Sequence, residues 1–314
     1  MKRNQIRGVK FINAKKGTIS SARMKETVFY TAMLALPVVQ FCLMYIYVHI
    51  DSFALAFERY DYGRYLWNGF ENFKNVFKEL QMKNGQLRNS IFTSIYTWAL
   101  CQLLTPLYWL LPYYCYKKFP GHGLFKVTLY LPSILSEMVV GLIYKMVMNQ
   151  VIPEIALDKW GVVVPPLVNS LATRYVTVWA YSAFMGLGSS VLIYVSLMAR
   201  IPESLVEYAQ LEGCTPLKEF IFVTFPLIFP TWFVTFIMGL PGILGAGIPL
   251  FVFFGTESTE VSTVGYYLYC LVLDGGAAAY PKASAISMLC TLVTIPLVIA
   301  SQFLLKKVDS GAQF

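Results

Sequence analysis

The sequence predicts an all-α, polytopic membrane protein with about six transmembrane helices and both termini cytoplasmic. Three observations carry this. Hydrophobic residues make up 57% of the 314 residues, charged residues only 13%, and the mean hydropathy is +0.57. Ordinary soluble domains carry about a quarter charged residues, so a soluble fold of this size would lack a charged surface. Apolar runs recur at the length of about 20 residues that crosses a bilayer. Finally, the basic residues are distributed unevenly between alternate connecting segments.

The first expected span is Val28–Ile50, the second Ile91–Tyr116 and the third about Leu124–Met148. The fourth is Tyr175–Ala199, the fifth begins near Phe220, and the last covers about Ser284–Leu305. The fifth apolar run continues to Phe254, too far for one simple crossing, and "LPGILGAGIP" (240–249) interrupts it with glycines and prolines. Helical structure is expected to break there. Non-helical backbone at membrane depth is tolerated only where protein or a water-filled cavity covers it, so the break either lines a pathway or forms an external loop.

Orientation follows from basic residues near span ends. Residues 1–27 carry Lys2, Arg3, Arg7, Lys10, Lys15, Lys16, Arg23 and Lys25 against one acid, Glu26. That tail is expected inside and is too long for a cleavable signal peptide. Inside segments then hold fifteen bases and six acids, and outside segments nine bases and ten acids. The transmembrane domain is expected over 28–307, with a cytoplasmic loop at 200–219 and a tail at 308–314. The net charge of +8 reflects this topology, and no basic stripe with exposed aromatics points to nucleic acid.

Six scattered cysteines without a CxxC pair read as buried apolar side chains, and His49 and His122 lie too far apart to suggest a metal site. The outside segment "FERYDYGRYLWNGFENFKNVF" (57–77) is amphipathic and aromatic. It reads as an interfacial helix on the membrane, or as a docking element.

The stretch "RIPESLVEYAQLEGCTPLKEF" (200–220) is charged amid apolar sequence. It predicts a helix, a turn and a second helix. Pro202 suits a first helical position. Glu203, Glu207 and Gln210 fall on one face, and Leu205, Ala209 and Glu212 form a second line with Tyr208 beside it. Gly213 sits where a helix end favours positive φ, while Thr215 and Pro216 suit the start of the next helix.

These residues resemble a family. Permeases of binding-protein-dependent ATP-binding-cassette importers carry a cytoplasmic loop of the form E-A-A-x3-G-x9-I-x-L-P. Here the chain has Glu207-Tyr208-Ala209, Gly213 and then Val223-Thr224-Phe225-Pro226 with the spacing kept in full. Tyr208, Val223 and Phe225 depart from the pattern, and the bulk of Tyr208 bears on the fit to a partner. "GFENFKNVF" (69–77), "YLPSILSEMVVGLIYKMV" (130–147) and the fourth span are also similar to sugar-importer permeases. The likeness runs from about 28 to 307. It is closest to the maltose-permease-like, carbohydrate-uptake type, in the branch for complex oligosaccharides and polysaccharides.

The resemblance implies the type I importer permease fold in a bacterial cell membrane. It implies a second homologous permease subunit, two cytoplasmic ATP-binding subunits that use ATP and Mg, and an extracytoplasmic solute-binding protein. Glu207, Tyr208, Ala209, Gly213, Val223 and Pro226 would form the ATPase-coupling segment. Glu207 would pair with a basic ATPase residue, and Ala209 would allow close packing. The chain is not expected to be an enzyme or to bind ATP itself: it has no Gly-Lys dipeptide, hence no phosphate loop.

For the solute pathway the sequence offers Glu137 and Lys145, ionisable groups inside the expected third span, and the aromatics Tyr181 and Trp232. Glu137 and Lys145 are eight positions apart, about 12 Å along a helix, too far for a direct pair. Each therefore needs a partner elsewhere, as a structural contact or in the pathway. An ion-coupled secondary transporter using Glu137 and the broken 240–249 region is the alternative. It leaves the 207–226 spacing unexplained.

Overall fold

The computed structural model describes residues 16–83, 85–245, 250–256 and 261–309. Most of the basic tail at 1–15, the end of the expected break at 246–249, and residues 310–314 lie outside the described residues. The side chains of Lys306 and Lys307 are likewise not described. The chain divides into two compact units, 1–54 and 55–314.

The described part of the first unit is one long helix. Helix α1 (Lys16–Phe41) passes through a π-helical turn (Cys42–Tyr47) into α2 (Val48–Ala56). The second unit opens with strands β1 (Glu58–Asp61) and β2 (Arg64–Trp67), paired antiparallel with Asp61 opposite Arg64. Tyr62 and Gly63 both have positive φ, 40° and 85°, as a two-residue type I′ hairpin turn requires. The interfacial helix expected over 57–77 is thus corrected: only α3 (Glu71–Gln81) is helical. The Asp-Tyr-Gly-Arg turn with alternating aromatics favours a hairpin before it.

Helices α4 (Gln86–Leu103), α5 (Thr105–Tyr116) and α6 (His122–Ile134) follow. Then come α7 (Glu137–Met146), a π turn (Val147–Val151) and α8 (Ile152–Trp160). Helix α9 (Arg174–Met198) leads to α10 (Glu203–Leu211) and α11 (Pro216–Glu219). A third π turn (Phe220–Thr224) joins α11 to α12 (Phe225–Gly239). Short helices α13 (Gly242–Gly245) and α14 (Leu250–Phe254), α15 (Val264–Gly275) and α16 (Tyr280–Asp309) complete the chain.

Among the described residues, five helical segments are long and apolar enough to cross a bilayer: Met24–Ala56, Glu137–Trp160, Arg174–Met198, Pro216–Gly239 and Tyr280–Phe303. Two of the six expected spans are corrected. The expected span 91–116 is divided at Leu104, and Pro106, two residues on, lacks a backbone donor and suits the first turn of the helix that restarts at Thr105. The α4 half is polar at its start and the α5 half is short. The expected span 124–148 is divided where Leu135 and Ser136 adopt extended backbone (ψ 156° and 130°). Glu137 therefore opens a helix instead of lying inside one, and a carboxylate is favoured at that end.

Three core clusters hold the second unit together. Val140, Val178, Tyr181, Leu250, Phe253 and Tyr266 join α7, α9, α14 and α15. Val76, Leu87, Val264, Tyr267 and Ile286 join α3, α4, α15 and α16. Tyr113, Tyr194, Met198, Phe220 and Ile228 join α5, α9 and the α11–α12 region. Helix α9 is the hub. A Cβ at Gly186 would meet the Tyr108 hydroxyl at 2.8 Å, and one at Gly188 the Leu129 carbonyl oxygen at 2.7 Å. Small residues there bring α9 close to α5 and α6, as in other membrane helix pairs.

The helix through 225–239 stops where "LPGILG" begins, as expected. Leu244 packs in the second cluster, while Leu250 and Phe253 are buried in the first. Protein therefore covers the chain on both sides of 246–249.

Candidate functional site

The segment after α9 turns sharply twice. Pro202 (φ −56°, ψ 129°) precedes α10 as its cap residue, so Glu203, not Pro202, is the first helical position. At the other end of α10, the Gly213 N–H donates to the Gln210 carbonyl at 3.0 Å and the Cys214 N–H to the Ala209 carbonyl at 2.9 Å. Gly213 has φ +73°. This pair of bonds is a Schellman motif, and the left-handed residue it needs is the glycine. Thr215 (ψ 158°) then occupies the N-cap position of α11, with Pro216 first in the helix, at the positions the sequence predicts. The Thr215 side chain makes no capping bond.

Helix α10 presents a mixed surface. Ala209 is 8% exposed and Val206 packs against the third cluster. Glu203, Glu207, Gln210 and Glu212 are exposed. Leu205, Tyr208 (68%) and Leu211 (83%) are exposed too. Of the second line Leu205, Ala209 and Glu212, only Ala209 is buried, and Val206, three positions before it, faces the same way into the third cluster. A helix that exposes both apolar side chains and carboxylates at its outer surface is suited to a protein partner.

The segment is anchored by residues that sequence reasoning missed. Glu219, at the end of α11, is 2% exposed. Lys117 Nζ, just beyond α5, lies 2.6 Å from Glu219 Oε1 and 2.7 Å from Oε2. The Tyr113 hydroxyl is placed 2.8 Å from the Pro216 carbonyl and 3.3 Å from Glu219 Oε1. Each charge also suits its helix end: Lys117 caps the C-terminus of α5, and Glu219 lies in the first turn of α11. The only signal in the sequence was one acid and one base on the same expected side, 102 residues apart.

Immediately after Glu219 the helix loosens. Residues Phe220–Thr224 form the π turn, and Pro226 follows with no backbone donor. Val223 lies within this turn. Thr224 Oγ1 is buried and has no hydrogen-bond partner among the described residues.

The pathway candidates fall in different places. Glu137 is exposed, and its carbonyl accepts from the Tyr181 hydroxyl at 3.1 Å. Tyr181 is 1% exposed, packed on Tyr144 and Phe253. Lys145 Nζ donates to the Val252 carbonyl at 3.3 Å, tying α7 to α14. Lys145 is thus engaged by a backbone carbonyl, whereas Glu137 is engaged only through its own backbone carbonyl and its side chain stays exposed. Trp232 packs on Trp109 and borders a cavity of about 210 Å³. Gln102, Thr105, Tyr108, Ser190 and Thr235 also line it. These five belong to α4, α5, α9 and α12, and sequence reasoning named none of them. Among the described residues no cluster of His, Cys, Asp or Glu fits a metal ion.

A family profile described as "Binding-protein-dependent transport system inner membrane component" matches residues 121–313. The chain is 22% identical over 198 residues to the arabinooligosaccharides transport system permease protein AraP of Bacillus subtilis (strain 168), covering 62% of this chain and 61% of that protein. It thus spans less than two thirds of that relative. It is 25% identical over 226 residues to the multiple sugar-binding transport system permease protein MsmF of Streptococcus mutans, covering 69% and 74%. It is also similar in fold to a chain in the crystal structure of a bacterial ABC transporter involved in the import of the acidic polysaccharide alginate. There the TM-score is 0.77 at 20% identity, covering 91% of this chain and 98% of the other.

Proposed function

Because this chain belongs to the family of binding-protein-dependent transport system inner membrane components, we propose that it is the permease subunit of an ATP-driven importer for a sugar or oligosaccharide. The observation that carries this reading is α10. Its Schellman turn at Gly213, buried Ala209 and exposed Glu207, Tyr208 and Leu211 make a compact helix suited to a cleft in an ATPase subunit. Glu207 makes no ion pair among the described residues and is free to meet a basic partner. A second permease subunit, two ATPases and an external binding protein complete the importer in a bacterial cell membrane. The sugar-permease relatives AraP and MsmF support the substrate class.

ATP and Mg act at the partner ATPases. Nucleotide closure there draws the coupling helices together, and the spans exchange between inward- and outward-open states. The partner drives this exchange only by binding the two states differently. The cavity beside Trp232 is the part of the solute path we assign to this chain. One indole face, an amide and several hydroxyls suit a sugar, whose rings stack on aromatics and whose hydroxyls need partners. Glu137, Tyr181 and Lys145 lie outside that cavity, and the bonds they make hold α7 against α9 and α14.

The experiment is co-expression with candidate ATPase, permease and binding-protein subunits, then ATPase capture and ATP-dependent uptake of labelled sugars. Glu207→Ala and Gly213→Pro should abolish uptake and weaken capture. Normal capture and uptake in both variants would overturn the coupling role.

A further inference from the structure

The 207–226 spacing explains a helix that meets a partner. It does not explain how displacement of that helix reaches the spans. A helix transmits displacement along its axis when its hydrogen-bond ladder is intact. Here the direct route into α12 is interrupted by the π turn at Phe220–Thr224 and by Pro226. These are recognised sites of bending. The stiff connection lies instead to one side. Glu219, one residue before the π turn, is held by Lys117 through both carboxylate oxygens, at 2.6 and 2.7 Å. Tyr113 bridges to the Pro216 carbonyl. The two charged side chains are 2% and 15% exposed, so water screens the pair weakly.

We propose that the Glu219–Lys117 pair with Tyr113 is a strut that makes α5 move with the coupling segment, while the π turn lets α12 bend away from both. The proposal rests on the importer reading above. Helix α5 is itself fixed to α9 through the Tyr108–Gly186 approach, and α9 to α6 through Gly188. Helices α5, α6, α9, α10 and α11 then travel as one body, and α12, which in this state packs on that body through Ile228 and Trp232, is the element that changes place. The cavity between them, bordered by Trp232 and Thr235 of α12 on one side and by Tyr108 and Ser190 on the other, is where that relative motion would be felt.

Two measurements test this. First, importer complexes carrying Glu219→Gln or Lys117→Met are purified through the ATPase, so that only assembled molecules are counted. Solute moved per ATP hydrolysed should fall about tenfold while hydrolysis persists, an effect in the range of ordinary coupling energies. Lys117→Arg, which keeps the charge, should restore the ratio. A merely structural pair would lower the yield of complex and leave the ratio unchanged, and that result would overturn the strut. Second, spin labels at the exposed positions Lys118 and Leu217, in a background with the six native cysteines replaced, report the α5–α11 separation whatever the transporter carries. Glu219→Gln should broaden and lengthen that distance. An unchanged narrow distance sinks the strut even if the importer reading stands. Failure of the wild-type chain to capture any ATPase sinks the importer reading, while the label distance still decides whether the pair holds α5 to α11.

Discussion

Lys282 Nζ lies 2.7 Å from Glu79 Oε2, fastening the amphipathic helix α3 to the first turn of α16. The Tyr267 hydroxyl donates to the other carboxylate oxygen at 2.9 Å, bringing α15 into the same knot. Burial pushes the Tyr267 phenol above the ordinary tyrosine range, which keeps it a donor to Glu79. The chain between α3 and the start of α4 is therefore held at one end of the bundle by polar side chains as well as by Val76 and Leu87.

Breaking this knot should cost modest stability. Glu79→Ala is expected to lower unfolding free energy by about 1–2 kcal/mol, because the pair is partly exposed and one of its bonds is a charged hydrogen bond. Tyr267→Phe should cost about 1 kcal/mol. Thermal unfolding in detergent, with the double variant to close the cycle, checks both. Additive losses would show that Glu79 and Tyr267 do not couple, against the bond between them.

Gly213→Ala should destabilise the α10 turn by about 1–2 kcal/mol, because its φ of +73° crowds any Cβ. Gly213→Asn should be milder, since asparagine tolerates this region. ATPase capture ranked as glycine, then asparagine, then alanine is the expected order. Equal capture by all three would show that the left-handed turn is dispensable.

Tyr208→Ala should leave stability within about 0.5 kcal/mol, as for most exposed substitutions. Capture of the ATPase should fall about tenfold if this aromatic is an anchor of the interface. A large drop in melting temperature would instead mark Tyr208 as a packing residue.

Gly188→Val places side-chain atoms where the Leu129 carbonyl already sits and should destabilise by about 1–3 kcal/mol or displace α6. The yield of folded protein from membranes measures it. Gly239, whose added Cβ would meet nothing within 4 Å, is the matched control.

Gln102→Leu keeps the volume of a cavity-lining side chain and removes its amide. Uptake should fall with little change in ATPase capture, by about 1–3 kcal/mol for an unpaired substrate hydroxyl. An unaltered uptake rate would move the solute path elsewhere.

The spans at 174–198 and 280–303, the start of the fifth helix and the break after Gly239 were legible as apolar length and glycine-proline punctuation. So was the turn at Gly213. The breaks at Leu104 and at Leu135–Ser136 were hidden, because hydropathy continues smoothly across both. Pro106 and Pro132 were the available signals. The hairpin at 58–67 was hidden by its aromatics, which suit an interfacial helix as well as paired strands.

Composition and spacing alone determined that this chain crosses a membrane, and that a charged helix ending at Gly213 interrupts its apolar runs. These are local properties: burial of apolar length, and a backbone angle that glycine adopts freely. Tertiary structure decided what the charges do. Glu219 finds Lys117 across 102 residues, Lys145 finds the Val252 carbonyl, and Trp232 finds a cavity built from four helices. Such partners are chosen by helix packing, because a charge withdrawn from water must be met by whichever group the fold brings to it.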